Sequence, residues 1–381
     1  MRLSRRSDVD PFIVMDVMEA ARRAEETGRR IIHMEVGQPG TPAPAAARAA
    51  LARAMEADAL GYTVALGLPA LRRRIARHYG ETCGVDLNPD RVIVTAGSSG
   101  AFLLAFTALF DAGDRVALGL PGYPSYRQIL RAMSLEPVAI PTRPEDRFQP
   151  RPEDIPAGVR GLIVASPANP SGTVLTRAAL AALMEAARDR GLAFVSDEIY
   201  HGLVYEGRAT SALELGDDAY VINSFSKYYS MTGWRIGWMV VPEAHVRAVE
   251  RLAQNMFICP PHASQVAALA AMDCTGELEA NRAVYAANRR LLLEGLPAAG
   301  ITRFAPPDGA FYLYADVSDL TADSRDLCRR ILDVAGVAVT PGLDFDPERG
   351  RGTLRFSYAR STADIAEGLD RLARHLPALL S

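Results

Sequence analysis

Between residues 91 and 241 one pattern returns five times: a short, almost wholly apolar run, then a break of glycine, proline, serine or acid. The runs are residues 91–95, 114–119, 161–166, 191–196 and 219–222. A strand that is apolar throughout, rather than alternating, has both faces buried. Several breaks lead into helical stretches, reaching residues 110 and 133 and spanning 176–190. Strands of this kind alternating with helices predict an α/β fold, a mostly parallel sheet covered by helices. A further run at 236–241 reads as antiparallel or edge-like. Such sheets bind ligands beyond the carboxyl ends of their strands. Ser98, Tyr123, Asn169, Asp197 and Lys227 all stand just past those ends. Five strand ends converging on one rim constrain the chain far more than any single motif does.

The flanking sequence predicts a second, smaller α+β unit. A helix over 11–27 stops at Gly28, and a strand over 31–36 enters the irregular segment 37–44. An alanine-rich helix spans 45–57, and another opens at Pro69. Beyond Pro260-Pro261 a long helical region runs to residue 296, with a break near Thr275-Gly276. Short strands at 309–314, 337–342 and 353–358, a helix at 324–335 and a final helix complete the chain. The expected division is 1–44 (N-terminal part of the small domain), 45–284 (large, ligand-binding domain) and 285–381 (C-terminal small domain). A length of 381 residues suits two domains.

Composition narrows the partners. Lys and Arg number 42 against 45 Asp and Glu, a net charge of −3 with no block of one sign. Nucleic acid and anionic membranes are therefore not expected as main partners. The arginines among residues 1–10 have no apolar run behind them, and residues 101–110 make only about half a membrane span. A cytoplasmic protein is expected. Cys83, Cys259, Cys274 and Cys328 are scattered, which predicts reduced thiols and no metal site.

The stretch Ser224-Phe225-Ser226-Lys227 carries the most chemistry. A lysine at a strand end can point into a cleft, where burial and a nearby cation lower its pKa. The neutral amine can then form a Schiff base with a carbonyl. Arg235 with Ser224 and Ser226 suits a phosphate. The turn Ala96-Gly97-Ser98-Ser99-Gly100, between a strand and a helix, offers free backbone N–H groups to the same kind of anion. It is neither a dinucleotide fingerprint nor a Walker loop. An aromatic aldehyde cofactor on Lys227 would need a carboxylate at its ring nitrogen (Asp197), donors to its phenolic oxygen (Asn169, Tyr200) and a stacking ring (Tyr123). A substrate carboxylate would need a guanidinium, for which Arg355 is the candidate. Each residue also has an ordinary reading. Lys227 can be a surface lysine, Asn169 a turn residue, Asp197 a helix cap, Arg355 an exposed strand charge, Tyr62 simple packing and Gly37 a turn glycine.

Taken together these pieces carry a family resemblance. Gly37-Gln38-Pro39, Gly61-Tyr62-Thr63, Ala96 to Gly100, Pro121-Gly122-Tyr123-Pro124-Ser125-Tyr126 and Pro167-Ala168-Asn169-Pro170-Ser171-Gly172 occur in one order. They are followed by Ser196-Asp197-Glu198-Ile199-Tyr200, the lysine motif with Met231-Thr232-Gly233-Trp234-Arg235-Ile236-Gly237, and Arg355-Phe356-Ser357-Tyr358. The chain resembles, over nearly its full length, the class I/II aminotransferases of the aspartate aminotransferase superfamily, which are fold type I pyridoxal-phosphate enzymes. The resemblance implies that Lys227 holds the cofactor and shuttles the proton, while Asp197 pairs with the ring nitrogen. Asn169 and Tyr200 would touch the ring oxygen, with Tyr123 stacked on the ring. Ser98, Ser99, Gly100, Ser224 and Arg235 would hold the phosphate. Arg355 and the Gly37 backbone would take the substrate carboxylate. Tyr62 would reach the phosphate in a neighbouring subunit, implying a homodimer with shared sites. Gln38 departs from the glutamate or apolar residue often found there, and no second arginine is marked for a side-chain carboxylate. Amino transfer from an α-amino acid to a 2-oxo acid is the leading expectation. A β-lyase or decarboxylase of the same fold is the alternative, and a silent ligand-sensing module is the remaining one. The side-chain pocket is expected from residues 11–14, 256–261 and the partner subunit.

Overall fold

The computed structural model describes residues 1–380. Its elements run α1 (Ile13–Glu26), β1 (Ile32–His33), α2 (Ala45–Ala57), α3 (Pro69–Cys83), β2 (Val92–Thr95), α4 (Gly97–Leu109), β3 (Arg115–Leu120), α5 (Pro124–Ala132), β4 (Glu136–Pro141), β5 (Gly161–Ala165), α6 (Arg177–Asp189), β6 (Ala193–Asp197), β7 (Tyr220–Ser224) and β8 (Gly237–Val240). They continue through α7 (Val246–Met256), α8 (His262–Ala271), α9 (Thr275–Ala298), β9 (Arg303–Phe304), β10 (Tyr312–Asp316), α10 (Ser324–Arg330), β11 (Val337–Ala338), β12 (Thr340–Pro341), β13 (Thr353–Ser357) and α11 (Thr362–Leu380).

The main sheet has seven strands in the order β2-β8-β7-β6-β5-β3-β4, parallel except where β8 pairs. Its two faces bury different side chains of the same strands. Leu162, Val164 and Val221 join a core with Ile75, Phe225 and Trp238. Their neighbours Ile163 and Ile222 join Phe102, Phe106 and Met239 on the other side. Both faces are covered, as fully apolar strands require.

Three local expectations change. The run at 236–241 is antiparallel but interior, because β8 lies between β2 and β7. Strand β4, which contains Pro137 and Pro141, is an addition to the sequence reading. It sits at the sheet edge, where proline costs no ladder bond. Helix α7 was also unforeseen, and it places Val249 and Ala253, four residues apart, against the α4 core. The break in the helical region beyond residue 260 falls between Ala271 and Thr275.

A second sheet, β12-β13-β10-β9, and a parallel pair, β1 with β11, build a separate core. Ile32 and Met34 near the N-terminus pack there with Leu313, Phe356 and Leu372. Among the described residues no helix is long and apolar enough to cross a membrane. Among them, too, no cluster of His, Cys, Asp or Glu is arranged to hold a metal ion.

Candidate active site

The carboxyl ends of β5, β6 and β7 and the start of α4 meet β13 of the second sheet around a cavity of about 230 Å³. Lys227, Asp197, Asn169, Tyr200, Tyr123, Ser98, Ser99, Arg235, Gly37 and Arg355 all line it. A larger cavity, about 280 Å³, lies behind β7 among Tyr79, His201 and Tyr228 and holds none of these residues.

Lys227 is half-buried, and its Nζ donates to Gly37 O at 2.7 Å. Burial pushes its pKa down to about 8, and the guanidinium charges of Arg355 and Arg235 push the same way. The exposed-lysine reading therefore fails. Gly37 must be glycine here, because a Cβ would fall 1.6 Å from the Tyr312 hydroxyl.

Asp197 ends β6, and its carboxylate has two donors: the Tyr126 hydroxyl and the Ile199 N–H, the latter at 3.1 Å. The cap-like bond to Ile199 is real, yet the carboxylate still faces the cavity. Burial raises its pKa to about 6 against the pull of these donors. Tyr126 belongs to the motif Pro121–Tyr126 but has no expected role in the sequence. It follows Tyr123 by three residues in the first turn of α5, and that spacing puts both rings on one side.

Arg355 is not an exposed strand charge. It is buried, with Nη1 donating to Asn169 Oδ1 at 3.0 Å and Nη2 to Glu35 O and Thr340 Oγ1. Its Cζ lies over the rings of both Tyr312 and Phe345, 4.3 and 4.6 Å from their centroids. Nε is buried without a partner. Tyr200 shares a 2.9 Å hydroxyl contact with Tyr312, a lining residue that nothing in the local sequence marked.

The residues expected to hold an anion meet where α4 starts. Gly97 has φ +72°, and a Cβ there would fall 2.6 Å from Arg235 Nη2. Arg235 itself has φ +52°, a strained value for a non-glycine residue that aims its side chain at that helix start. Ser226 and Thr232 complete the lining. Ser224 and Gly100 stand differently from the expectation. Ser224, at the end of β7, lines the other cavity, and its Oγ bonds Ser226 Oγ at 2.8 Å. Gly100 is buried within α4 against Ala96 and Thr95.

Residues 256–261 also stand away from the cavity, whose outer wall is Phe12, Val14 and Met15. That loop and the first residue of α8 instead meet the neighbours of Tyr62, through Thr63 N–H to Cys259 Sγ at 3.4 Å and His262 Nδ1 to Gly61 O at 2.9 Å. Tyr62 is 83% exposed, and Val64, Met256 and Ile258 beside it are exposed as well.

One cleft thus brings together a half-buried amine, a buried carboxylate held by two donors, a helix start beside Arg235 and a buried guanidinium. The family description "Aminotransferase class I and II" matches residues 29–372, and the chain belongs to that family. It is an aminotransferase and moves an amino group from an α-amino acid to a 2-oxo acid. It is 49% identical to the valine–pyruvate aminotransferase of Mycobacterium tuberculosis, over 99% of both chains. A solved structure from Silicibacter pomeroyi is 70% identical with a TM-score of 0.94, covering 99% of this chain and 100% of that one. The aspartate aminotransferase of Thermus thermophilus with maleate is 33% identical with a TM-score of 0.92, covering 98% and 100%.

Proposed function

We propose that the amino donor is a neutral, aliphatic α-amino acid, that the acceptor is a short 2-oxo acid such as pyruvate, and that the cofactor is pyridoxal phosphate held through Lys227. One observation carries the donor reading. Lys227, Arg235 and Arg355 are the cations lining the cleft, each has a place in it, and the outer wall of Phe12, Val14 and Met15 is apolar. Within one subunit no lining cation is left for a side-chain carboxylate. The name of the Mycobacterium tuberculosis relative, a valine–pyruvate enzyme, supports the same class.

The residues fit the cofactor. Arg355 Nε is an orphaned buried donor, and Gly37 and Gly97, which admit no Cβ, let Tyr312 and Arg235 close in on the backbone at the cleft. Gly97, Ser98, Ser99, Ser226 and Arg235 would hold its phosphate, Asp197 its ring nitrogen, and Asn169 and Tyr200 its ring oxygen. When bound it supplies a carbonyl for amines and a ring that accepts electrons from the substrate Cα. Tyr126 fixes the Asp197 carboxylate and stabilises its charge by donating to it. Lys227, with a pKa near 8, changes charge close to neutral pH, as a group that takes and returns a proton at Cα must. Arg355, its Cζ over both rings, orients the substrate carboxylate.

The same proposal covers assembly and domains. The exposed group of Tyr62, Val64, Met256 and Ile258 fits a homodimer in which Tyr62 reaches the partner's phosphate site. A large domain over 45–284 and a small one from 1–44 and 285–381 fit the two cores: within α9, Leu278 belongs to the larger and Tyr285 to the smaller.

The test is the visible absorption of the purified enzyme with a panel of amino acids and no acceptor. A band near neutral pH that fades with valine, leucine or alanine and returns with pyruvate is the expected result. Faster fading with aspartate or glutamate overturns the donor reading. Regeneration without acceptor, releasing ammonia or carbon dioxide, favours a lyase or decarboxylase.

A further inference from the structure

The apolar wall of the cleft begins at the start of α1, and that start has no cap of its own. Phe12, at the N-cap position, offers no side-chain oxygen. The free N–H groups are met instead from the far end of the chain: Asp344 Oδ1 accepts from Ile13 N–H at 3.0 Å and Oδ2 from Val14 N–H at 3.1 Å. A carboxylate at a helix N-terminus satisfies orphan donors and complements the helix dipole. Asp344 is itself buried.

The turn that carries Asp344 is locked to the carboxylate-binding strand. Gly342 has no space for a side chain, since a Cβ would fall 1.7 Å from Thr353 Oγ1 of β13. The next residue, Phe345, stacks on Arg355 at 4.6 Å. Arg127 of α5 grips the same turn, with Nη1 on Phe345 O at 3.1 Å and Nη2 on Asp344 O at 3.0 Å. The Gly122 N–H, beside Tyr123, also donates to Phe345 O at 3.1 Å. Phe12 closes the loop with an edge contact to Tyr123 at 5.9 Å. One two-residue turn therefore touches the side-chain wall, the arginine and the α5 end of the cleft.

We infer that Asp344 is a positioning residue for donor choice: its carboxylate holds the start of α1, and with it the wall of Phe12, Val14 and Met15, at a set distance from Arg355. This rests on the aliphatic-donor reading above. A donor whose side chain reaches the wall depends on that distance, while alanine, with a single methyl, depends on it less.

The experiment compares kcat and KM of the holoenzyme for valine and alanine, with pyruvate or another 2-oxo acid as acceptor, in Asp344→Ala and Asp344→Asn. In Asp344→Ala the valine-to-alanine ratio of kcat/KM falls about five-fold, the factor matching the ~1 kcal/mol of a typical helix cap. The loss lies in KM for valine. Asp344→Asn keeps one acceptor oxygen and falls between the wild type and Asp344→Ala. A ratio equal to wild type in the variants, or equal losses for both donors, overturns the inference. Should Asp344→Ala not fold, Asp344→Asn decides alone, and a wild-type ratio there overturns it. A wild-type enzyme that uses no aliphatic donor instead refutes the donor reading, which separates the two failures.

Discussion

Replacing Arg355 by lysine keeps the charge and removes the shape. Of the five N–H groups of a guanidinium, three bond within the protein: Nη1 to Asn169 Oδ1, and Nη2 to Glu35 O and Thr340 Oγ1. Two remain for a substrate carboxylate, Nε–H among them. An ammonium has three donors in all, and its point charge cannot stack on Tyr312 and Phe345. Losing one charge-assisted bond removes about 1.5–3 kcal/mol, and losing the stacking a further ~0.5–1 kcal/mol. The sum, about 2–4 kcal/mol, corresponds to a roughly 30- to 1,000-fold fall in kcat/KM. Carboxylate binding precedes chemistry, so the fall should lie mainly in KM for donor and acceptor alike. The assay is the single-turnover half-reaction, followed by cofactor absorption as a function of amino acid concentration. Retention of the cofactor band shows that the variant is assembled. An Arg355→Lys enzyme with KM within twofold of wild type would refute the role given to this side chain.

Lys227→Ala removes the only amine in the cleft and should lower turnover by roughly 10³-fold or more while leaving circular dichroism unchanged; substantial residual activity sinks the assignment. In the cofactor-free protein Asp197 titrates near 6 rather than at its usual 3.8, so the folded state binds this proton more tightly than the unfolded state. The stabilisation is full below pH 3.8 and is lost as pH rises through 6, by an order of 3 kcal/mol at 1.36 kcal/mol per pH unit. Urea melts of wild type and Asp197→Asn between pH 4 and 7 should differ in slope, and parallel curves would contradict the burial argument. Tyr126→Phe deletes the donor to that carboxylate, so the window should move to higher pH; a shift downward would mean the hydroxyl does not stabilise the charge. Tyr62→Ala should loosen the cofactor, and mixing its chains with Lys227→Ala chains should restore one intact site per hybrid dimer. Failure of such mixtures to regain cofactor affinity counts against a shared site.

Much of this was legible in one dimension. Apolar runs with both neighbours apolar can only be buried on both faces, which specifies the covered sheet, and polar breaks at their carboxyl ends mark the rim. Lys227, Asp197 and Asn169 could be placed on the cleft because position at a strand end is a local property. Other features depend on how distant segments dock. Ser224 ends β7 against the other cavity, while Ser226, two residues on and past the strand end, lines the cleft, a turn of the chain that no spacing rule resolves. Tyr312 and Asp344 carry no motif. They gain meaning only because the second core sets β10 and β13 against the main sheet, bringing Arg355 onto Asn169 and Asp344 onto α1. The kind of chemistry was thus settled by the sequence, because it rests on residue types at strand ends. The reach and selectivity of the cleft were settled by tertiary packing, because they rest on distances between segments that are close only when both cores have formed.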